Sequence, residues 1–326
     1  MNNIQKFSKN IHKSIDKPNF KEYNKAVTKN IYIKEKIVMK KIISLAIVAV
    51  MLVACFGMLA SCGKDEIIVN TNAYFAPFEY YEGTEIVGVD VDIMNKVGEK
   101  LGKNVVFENT EFAVIIDNVK AGEVCDAGAA GITITEQRKE KVDFSIPYYT
   151  SVQYVIFDKT NADIVTKTVD GKEYIVWEAL AGMSLGTQTD TTGWIYTDGE
   201  INATEDNDYG YNGVLYGTET ELLNFDNAQL AADAIGKSVD AVIIDELPAN
   251  YIVNSYSKFK CVPLYYSGET DADDAPVEEQ YAICVTKGNT ELLNAINEVL
   301  EEMLQKDANG QTEIEKLVMK HMGLNK

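Results

Sequence analysis

Arginine is all but missing from this chain: Arg138 stands alone against twenty-nine lysines. Histidine is almost as scarce, with only His12 and His321. That argues against a His-dependent catalytic triad and against a His-rich metal site. Of five cysteines, Cys125, Cys261 and Cys284 belong to the folded part, and their spacing matches no zinc or redox motif. Three thiols allow at most one disulfide, so buried free thiols are expected. No metal and no cofactor is expected. Positive charge is in deficit too: the net charge is −20, which disfavours nucleic acid or an anionic membrane surface as partner.

The deficit is uneven. Residues 1–61 hold eleven lysines and three acids, a net of +8, which leaves −28 on the remaining 265 residues. Lys40 and Lys41 precede an apolar run from Ile42 to Leu59, which ends in Leu59-Ala60-Ser61-Cys62-Gly63. A charged stretch, an apolar stretch and a small-residue cleavage site are the layout of a secretory signal. Cys62 directly after Leu-Ala-Ser resembles the bacterial lipobox, whose cysteine is lipidated (palmitate) and becomes the first mature residue. Eighteen residues could also just span a bilayer, but the small-residue site and the cysteine fall where a span would continue. The expected organisation is an extension of no assigned role at 1–38, a lipoprotein signal peptide at 39–61 and a lipidated N-terminus and linker at 62–65. The folded part follows.

The 265 residues from Cys62 onward suffice for one large or two medium domains, and 46% apolar content argues for globular folding. Glu66-Ile67-Ile68-Val69 reads as a buried strand. Asp90 to Leu101 reads as a helix, opened by acids and carrying Ile93, Met94, Val97 and Leu101 at helical spacing. Val105-Val106-Phe107 is a second strand, Phe112 to Lys120 a second helix ended by Ala121-Gly122, and Asp126 to Ile132 a small-residue strand. Alternating strand and helix predicts a mostly parallel sheet.

The pattern recurs. Gly122-Glu123-Val124-Cys125-Asp126-Ala127 and Gly236-Lys237-Ser238-Val239-Asp240-Ala241 share one frame, each after a helical stretch with alanine and before an apolar strand. Two lobes built alike follow, unless the match is chance, since helix–Gly–strand junctions are common. Five residues beyond each aspartate lie Gly131 and Asp245, near the strand ends where open α/β sheets bind ligands. Asp245 also suits a helix N-cap, and the two roles are compatible. Arg138 lies just past the first of these strands. Its planar fork can hold a carboxylate at two points, which an ammonium cannot.

Residues 66–326 resemble the polar amino-acid-binding proteins of bacterial ABC importers, extracellular solute-binding proteins of family 3. The resemblance rests on Ala76-Pro77-Phe78-Glu79, on Val87-Gly88-Val89-Asp90-Val91-Asp92-Ile93, and on Ala130-Gly131-Ile132-Thr133-Ile134-Thr135-Glu136-Gln137-Arg138, which continues to Val142-Asp143-Phe144-Ser145-Ile146-Pro147-Tyr148-Tyr149. It implies an α/β, two-lobed type II periplasmic-binding-protein-like fold with two crossings between lobes and the ligand in the interlobe cleft. The crossings would fall near Ser151–Tyr154 and Val277–Tyr281. Residues 66–152 and 280–326 would then form lobe 1, and residues 153–279 lobe 2. The helix from Thr290 to Leu304, with Leu293, Ile296, Leu300 and Met303/Leu304 as its apolar stripe, would pack back on lobe 1, as would Thr312 to Met322.

The resemblance also implies roles. Arg138 and Thr133 would hold an α-carboxylate, with Gly131 close and Thr192 adding a donor. Asp245 would take the ammonium, with the Ala130–Gly131 backbone accepting from it. Phe75 and Phe112 would sandwich the side chain, although buried phenylalanine is more often plain core. Asn72 stands where cation-selective relatives tend to place an acid, and Gln188 and Ile244 where a glutamine binder has lysine and histidine. Asp190 replaces a glycine. A side-chain pocket without an obvious counter-charge favours a neutral or polar amino acid.

The expectation is therefore a monomeric, non-enzymatic, lipid-anchored extracytoplasmic protein. It would close on a free amino acid and deliver it to an ABC permease. A secreted enzyme of this fold resembling cyclohexadienyl dehydratases is the alternative, as is a ligand-sensing lipoprotein. An enzyme would need a positioned acid or base, and Glu79 and Glu246, its candidates, read as solvated or capping. The stretch from Asp198 to Asn227 is either a surface excursion or a specificity loop.

Overall fold

The computed structural model describes residues 65–204 and 210–324. The extension, the signal segment and Cys62 lie outside the described residues. Among the described residues, no helix is long and apolar enough to cross a membrane.

Chain order runs β1 (Glu66–Thr71), β2 (Tyr74–Phe75), β3 (Glu79–Glu82), β4 (Glu85–Val87), α1 (Val89–Leu101), β5 (Asn104–Asn109), α2 (Phe112–Ala121), β6 (Ala127–Gly128), α3 (Glu136–Lys139) and β7 (Val142–Phe144). The long β8 (Tyr149–Asp158) leads to β9 (Lys167–Val169), β10 (Lys172–Val176), β11 (Ser184–Gln188), α4 (Thr192–Asn202), β12 (Glu221–Phe225), α5 (Ala228–Asp233), β13 (Ala241–Asp245), α6 (Glu246–Ser255) and β14 (Phe259–Tyr265). The chain returns through β15 (Glu278–Tyr281) to β16 (Cys284–Thr286), α7 (Thr290–Met303) and α8 (Glu313–His321).

Two sheets result. The first has the order β5-β1-β6-β16-β7, with β1 parallel to β5 and β6, and β16 antiparallel to its neighbours. The second has the order β12-β11-β13-β8-β14-β10-β9, with β11 parallel to β12 and β13. The half of β8 from Gln153 onward pairs with β13 and β14, whereas its first half, Tyr149–Val152, pairs antiparallel with β15. These two strands carry the chain between the lobes.

The repeated frame has one physical job in both lobes. The Asp126 N–H donates to the Ile68 carbonyl at 2.8 Å, and its carboxylate accepts the Ile68 N–H at 2.9 Å. Asp240 makes the same pair of bonds with Ser184, both at 2.8 Å. Each aspartate thus pins the start of a parallel strand to the strand beside it. Gly122 and Gly236, at φ 66 and 73, make the left-handed turn that precedes it, a conformation glycine adopts without a steric penalty.

Helix α1 buries Ile93, Met94 and Val97 as the spacing predicted, and ends at Gly102 in the left-handed conformation. On α7 the buried stripe is Leu292, Ala295, Ile296, Val299, Leu300 and Met303, whereas Leu293 is only half-buried. The stripe lies further round the helix than the predicted one, because Ala295 is buried in the core while Leu293 packs against it only partly buried. Helix α8 opens with a reciprocal cap: the Thr312 hydroxyl accepts from the Glu315 N–H and the Glu315 carboxylate from the Thr312 N–H.

The strand predicted over Asp126 to Ile132 is shorter than expected. Only Ala127–Gly128 ladders into the sheet. After Ala129 donates to the Asn70 carbonyl, the chain turns at Gly131, φ 54, and leaves the sheet edge to form the wall of a cleft. Among the described residues Cys125, Cys261 and Cys284 form no disulfide.

Candidate functional site

A narrow cleft lies between the lobes, with about 300 Å³ of empty space when the part open to solvent is counted. Asn72, Phe75, Phe112, Ala130, Gly131, Thr133 and Arg138 line it from the side of the first sheet, and Gln188, Thr192 and Asp245 from the side of the second. All ten predicted ligand-binding positions are therefore brought together. Thr191, which was not among the predicted positions, and Glu79, named only as a candidate acid of the enzyme alternative, line it as well.

Local structure explains the placement. Thr135 caps α3 by accepting the Arg138 N–H, which holds the first turn of the helix at the cavity rim. Gly131 is obligatory here: a Cβ would sit 2.7 Å from the Phe75 ring, at a backbone φ that disfavours side chains. Its N–H donates to Asp90 at 2.9 Å. Asp245 ends β13 and occupies the N-cap position of α6, yet its side chain makes no capping bond. Among the described residues nothing hydrogen-bonds its buried Oδ1.

The Arg138 guanidinium is buried, packs 5.4 Å from the Phe112 ring centroid, and spends its fork on backbone. Nη1 donates to the Thr133 carbonyl and Nη2 to the Asp190 carbonyl of the facing lobe, both at 2.8 Å. Among the described residues no carboxylate forms an ion pair with it. Burial lowers its pKa, opposed by the charges of Glu279 and Asp245. Across the cleft Gln188 donates to the Asn72 side chain at 3.0 Å, so an amide pair closes that part of the cavity. Asn72 in turn donates to the Thr110 carbonyl at 2.7 Å.

Glu79 corrects a prediction. Expected to be solvated or capping, it is fully buried, and among the described residues no N–H or O–H donor reaches its carboxyl oxygens. Burial, followed by the charges of Asp90 and Asp245, raises its pKa well above the carboxylate range. That favours the protonated form of Glu79 beside Asp90, whose own pKa burial also raises and whose carboxylate accepts from Tyr148 at 2.6 Å. Glu246, by contrast, stands in the first turn of α6 and accepts a 3.3 Å bond from Tyr154.

Sequence reasoning missed Glu279 altogether. Only 2% exposed, it accepts hydrogen bonds from Thr133, Thr192 and Gln153. A signal was present: in a strand, residues two apart share a face, and Tyr281, an apolar residue of the crossing strand, puts Glu279 on its inner side. In the stretch from Asp198 to Asn227, the described residues do not line the cavity. Instead the segment folds back over α4, where the buried Glu200 accepts from the N–H groups of Asn212 and Val214.

Two α/β lobes joined by a pair of crossing strands, with a cavity between them, define a type II periplasmic-binding-protein fold. Residues 67–323 match the bacterial extracellular solute-binding proteins, family 3, and the chain belongs to that family. The arginine-binding extracellular protein ArtP of Bacillus subtilis (strain 168) is 28% identical over 258 residues, spanning 79% of this chain and 86% of ArtP. A probable histidine-binding protein of Neisseria gonorrhoeae is 27% identical over 284 residues, spanning 81% of this chain and 91% of its own length. Among solved structures, an ancestral arginine-binding protein bound to glutamine superposes with a TM-score of 0.60 at 30% identity, covering 80% of this chain and 99% of that one.

Proposed function

We propose that this protein captures a free amino acid outside the cytoplasm by closing its two lobes, and hands it to the permease of an ABC importer, tethered to the membrane through a lipid on Cys62. The observation that carries the reading is a complementary pair in one cavity. Among the described residues, Arg138 is a buried cation without a carboxylate partner, and Asp245, facing it, is a buried acid whose Oδ1 lacks a donor. A zwitterionic α-amino acid supplies both missing partners, and buried charges are tolerated only when paired and hydrogen-bonded. The family and the names of its members, binding proteins for arginine and histidine, support the same class of ligand.

For the side chain we propose a neutral, polar group. The wall formed by Asn72 and Gln188 is an amide pair, and amides exchange hydrogen bonds with amides or hydroxyls without demanding a counter-charge. Phe75 and Phe112 add apolar flanks. A cationic side chain is the second reading, favoured by Glu79 at the cavity wall and by the name of ArtP. It requires Glu79 to ionise against the burial that raises its pKa.

A thermal-shift panel of the twenty amino acids, on protein refolded to strip carried-over ligand, tests both parts. A ligand present at one hundred times its Kd adds about 2.7 kcal/mol of stability. One strong neutral hit is the expected result. A preference for arginine or lysine overturns the side-chain assignment, and silence across the panel overturns amino-acid capture.

A further inference from the structure

Glu279 has a position that no other acid among the described residues shares. It stands on β15, one of the two strands that cross between the lobes, and its side chain is buried against Thr133 and Thr192, which line the cavity. Oε2 accepts the Thr133 hydroxyl at 2.9 Å and the Thr192 hydroxyl at 2.6 Å. Oε1 accepts the Gln153 amide at 2.9 Å, and Gln153 belongs to β8, the other crossing strand. One carboxylate is therefore held by a residue of each cleft wall and by both connections.

The geometry matters for motion. Thr133 follows the turn at Gly131 on the first lobe, and Thr192 opens α4 on the second. A single oxygen can accept both hydroxyls only while the two walls are together. Swinging the lobes apart moves at least one threonine out of hydrogen-bond range, because these bonds weaken steeply with distance and angle. A carboxylate is a strong acceptor, and once buried it loses heavily if left without donors. Closure and satisfaction of Glu279 are thus the same event.

We propose that Glu279 is the interlobe latch of this protein, a positioning residue that stabilises the closed arrangement with or without ligand by accepting one hydroxyl from each lobe. The role differs from that of Arg138 and Asp245, whose missing partners lie on the ligand. Glu279 has its partners already, and all of them are protein.

The full chain carrying an energy-transfer dye pair on non-canonical residues at the exposed positions Glu99 and Asp163, one on each lobe, reads the closed population directly. In the ligand-free protein, E279A should lower the ratio of closed to open molecules at least tenfold. E279Q should recover most of it, because an amide oxygen can accept both hydroxyls while the Gln153 amide turns to face the new NH₂. T192V, which removes one of the two bridged hydroxyls and leaves the carboxylate in place, should shift the ratio in the same direction as E279A, and keeps the test alive if E279A does not fold. An unchanged ratio in E279A or T192V overturns the latch. So does an E279Q protein as open as E279A, which would assign the effect to charge rather than to bridging. Since this arm uses no ligand, its outcome is independent of which solute the cavity takes.

Discussion

Arg138 reaches across the cleft to the backbone of Asp190: its Nη2 donates to the Asp190 carbonyl at 2.8 Å, and Asp190 holds that carbonyl in place from a left-handed backbone, φ 60. Asp is among the few non-glycine residues that adopt this region with modest cost. Asp190 therefore need not act through its side chain. Asp190→Gly should leave amino-acid affinity within about threefold of the parent in a calorimetric titration, since glycine offers the same carbonyl in the same conformation. A loss of tenfold or more would show that the carboxylate contributes directly.

The fork itself is tested by Arg138→Lys. Lysine keeps the charge but presents a single ammonium, which cannot span the Thr133 and Asp190 carbonyls and still face a ligand carboxylate in two places. Binding should weaken at least tenfold, about 1.4 kcal/mol, with the far-ultraviolet circular dichroism unchanged. An affinity equal to the parent would remove Arg138 from the carboxylate subsite.

Much of this site could be read from residues one at a time. A lone arginine, an aspartate at a strand end and a glycine in a turn each betray a local requirement, and the repeated frame around Asp126 and Asp240 marks two equivalent junctions in the sequence alone. What escaped were acids whose environment is tertiary. Glu79 and Glu279 sit in charged or tyrosine-rich stretches, Glu79-Tyr80-Tyr81-Glu82 and Glu278-Glu279-Gln280-Tyr281, which look solvated in sequence. Their burial comes from segments far away in the chain: Asp90 and Asp245 around Glu79, and Thr133, Gln153 and Thr192 around Glu279. Likewise the strand after Asp126 is cut short by the turn at Gly131, a tertiary demand of the Phe75 ring on the backbone.

Glu200 offers a stability test remote from the cavity. Fully buried on α4, it accepts from the N–H groups of Asn212 and Val214 at 3.3 and 3.0 Å and from the Tyr266 hydroxyl at 2.9 Å. Glu200→Ala leaves those donors without an acceptor in a buried setting, at about 1–3 kcal/mol per orphaned group after partial relaxation. A net loss of about 3 kcal/mol and a Tm lowered by roughly 6–12 °C are expected in thermal melts, with ligand affinity unaffected because this segment does not line the cavity. A Tm within 2 °C (about 1 kcal/mol) of the parent would mean that the segment is held by its apolar contacts alone.

The last prediction concerns protons. In the empty site Asp245 is pushed up to about 8, by burial first and the nearby Glu279 carboxylate second. Below that value the empty protein carries a proton on Asp245, whereas a bound ammonium requires the ionised form. Binding therefore releases a proton, and affinity should rise with pH, by at most about tenfold per unit, up to about pH 8 and then level off. Stability of the empty protein runs the other way. An unfolded Asp ionises near its ordinary 3.8 while the folded one holds its proton, so between these values the folded state binds more protons and loses stability as pH rises. Burial raises Glu79 and Glu279 in the same direction, so the informative quantity is the difference between parent and Asp245→Asn. That variant should bind weakly with a flatter pH profile, and its thermal stability should fall less steeply with pH. Equal slopes in parent and variant would place the ammonium elsewhere in the cleft.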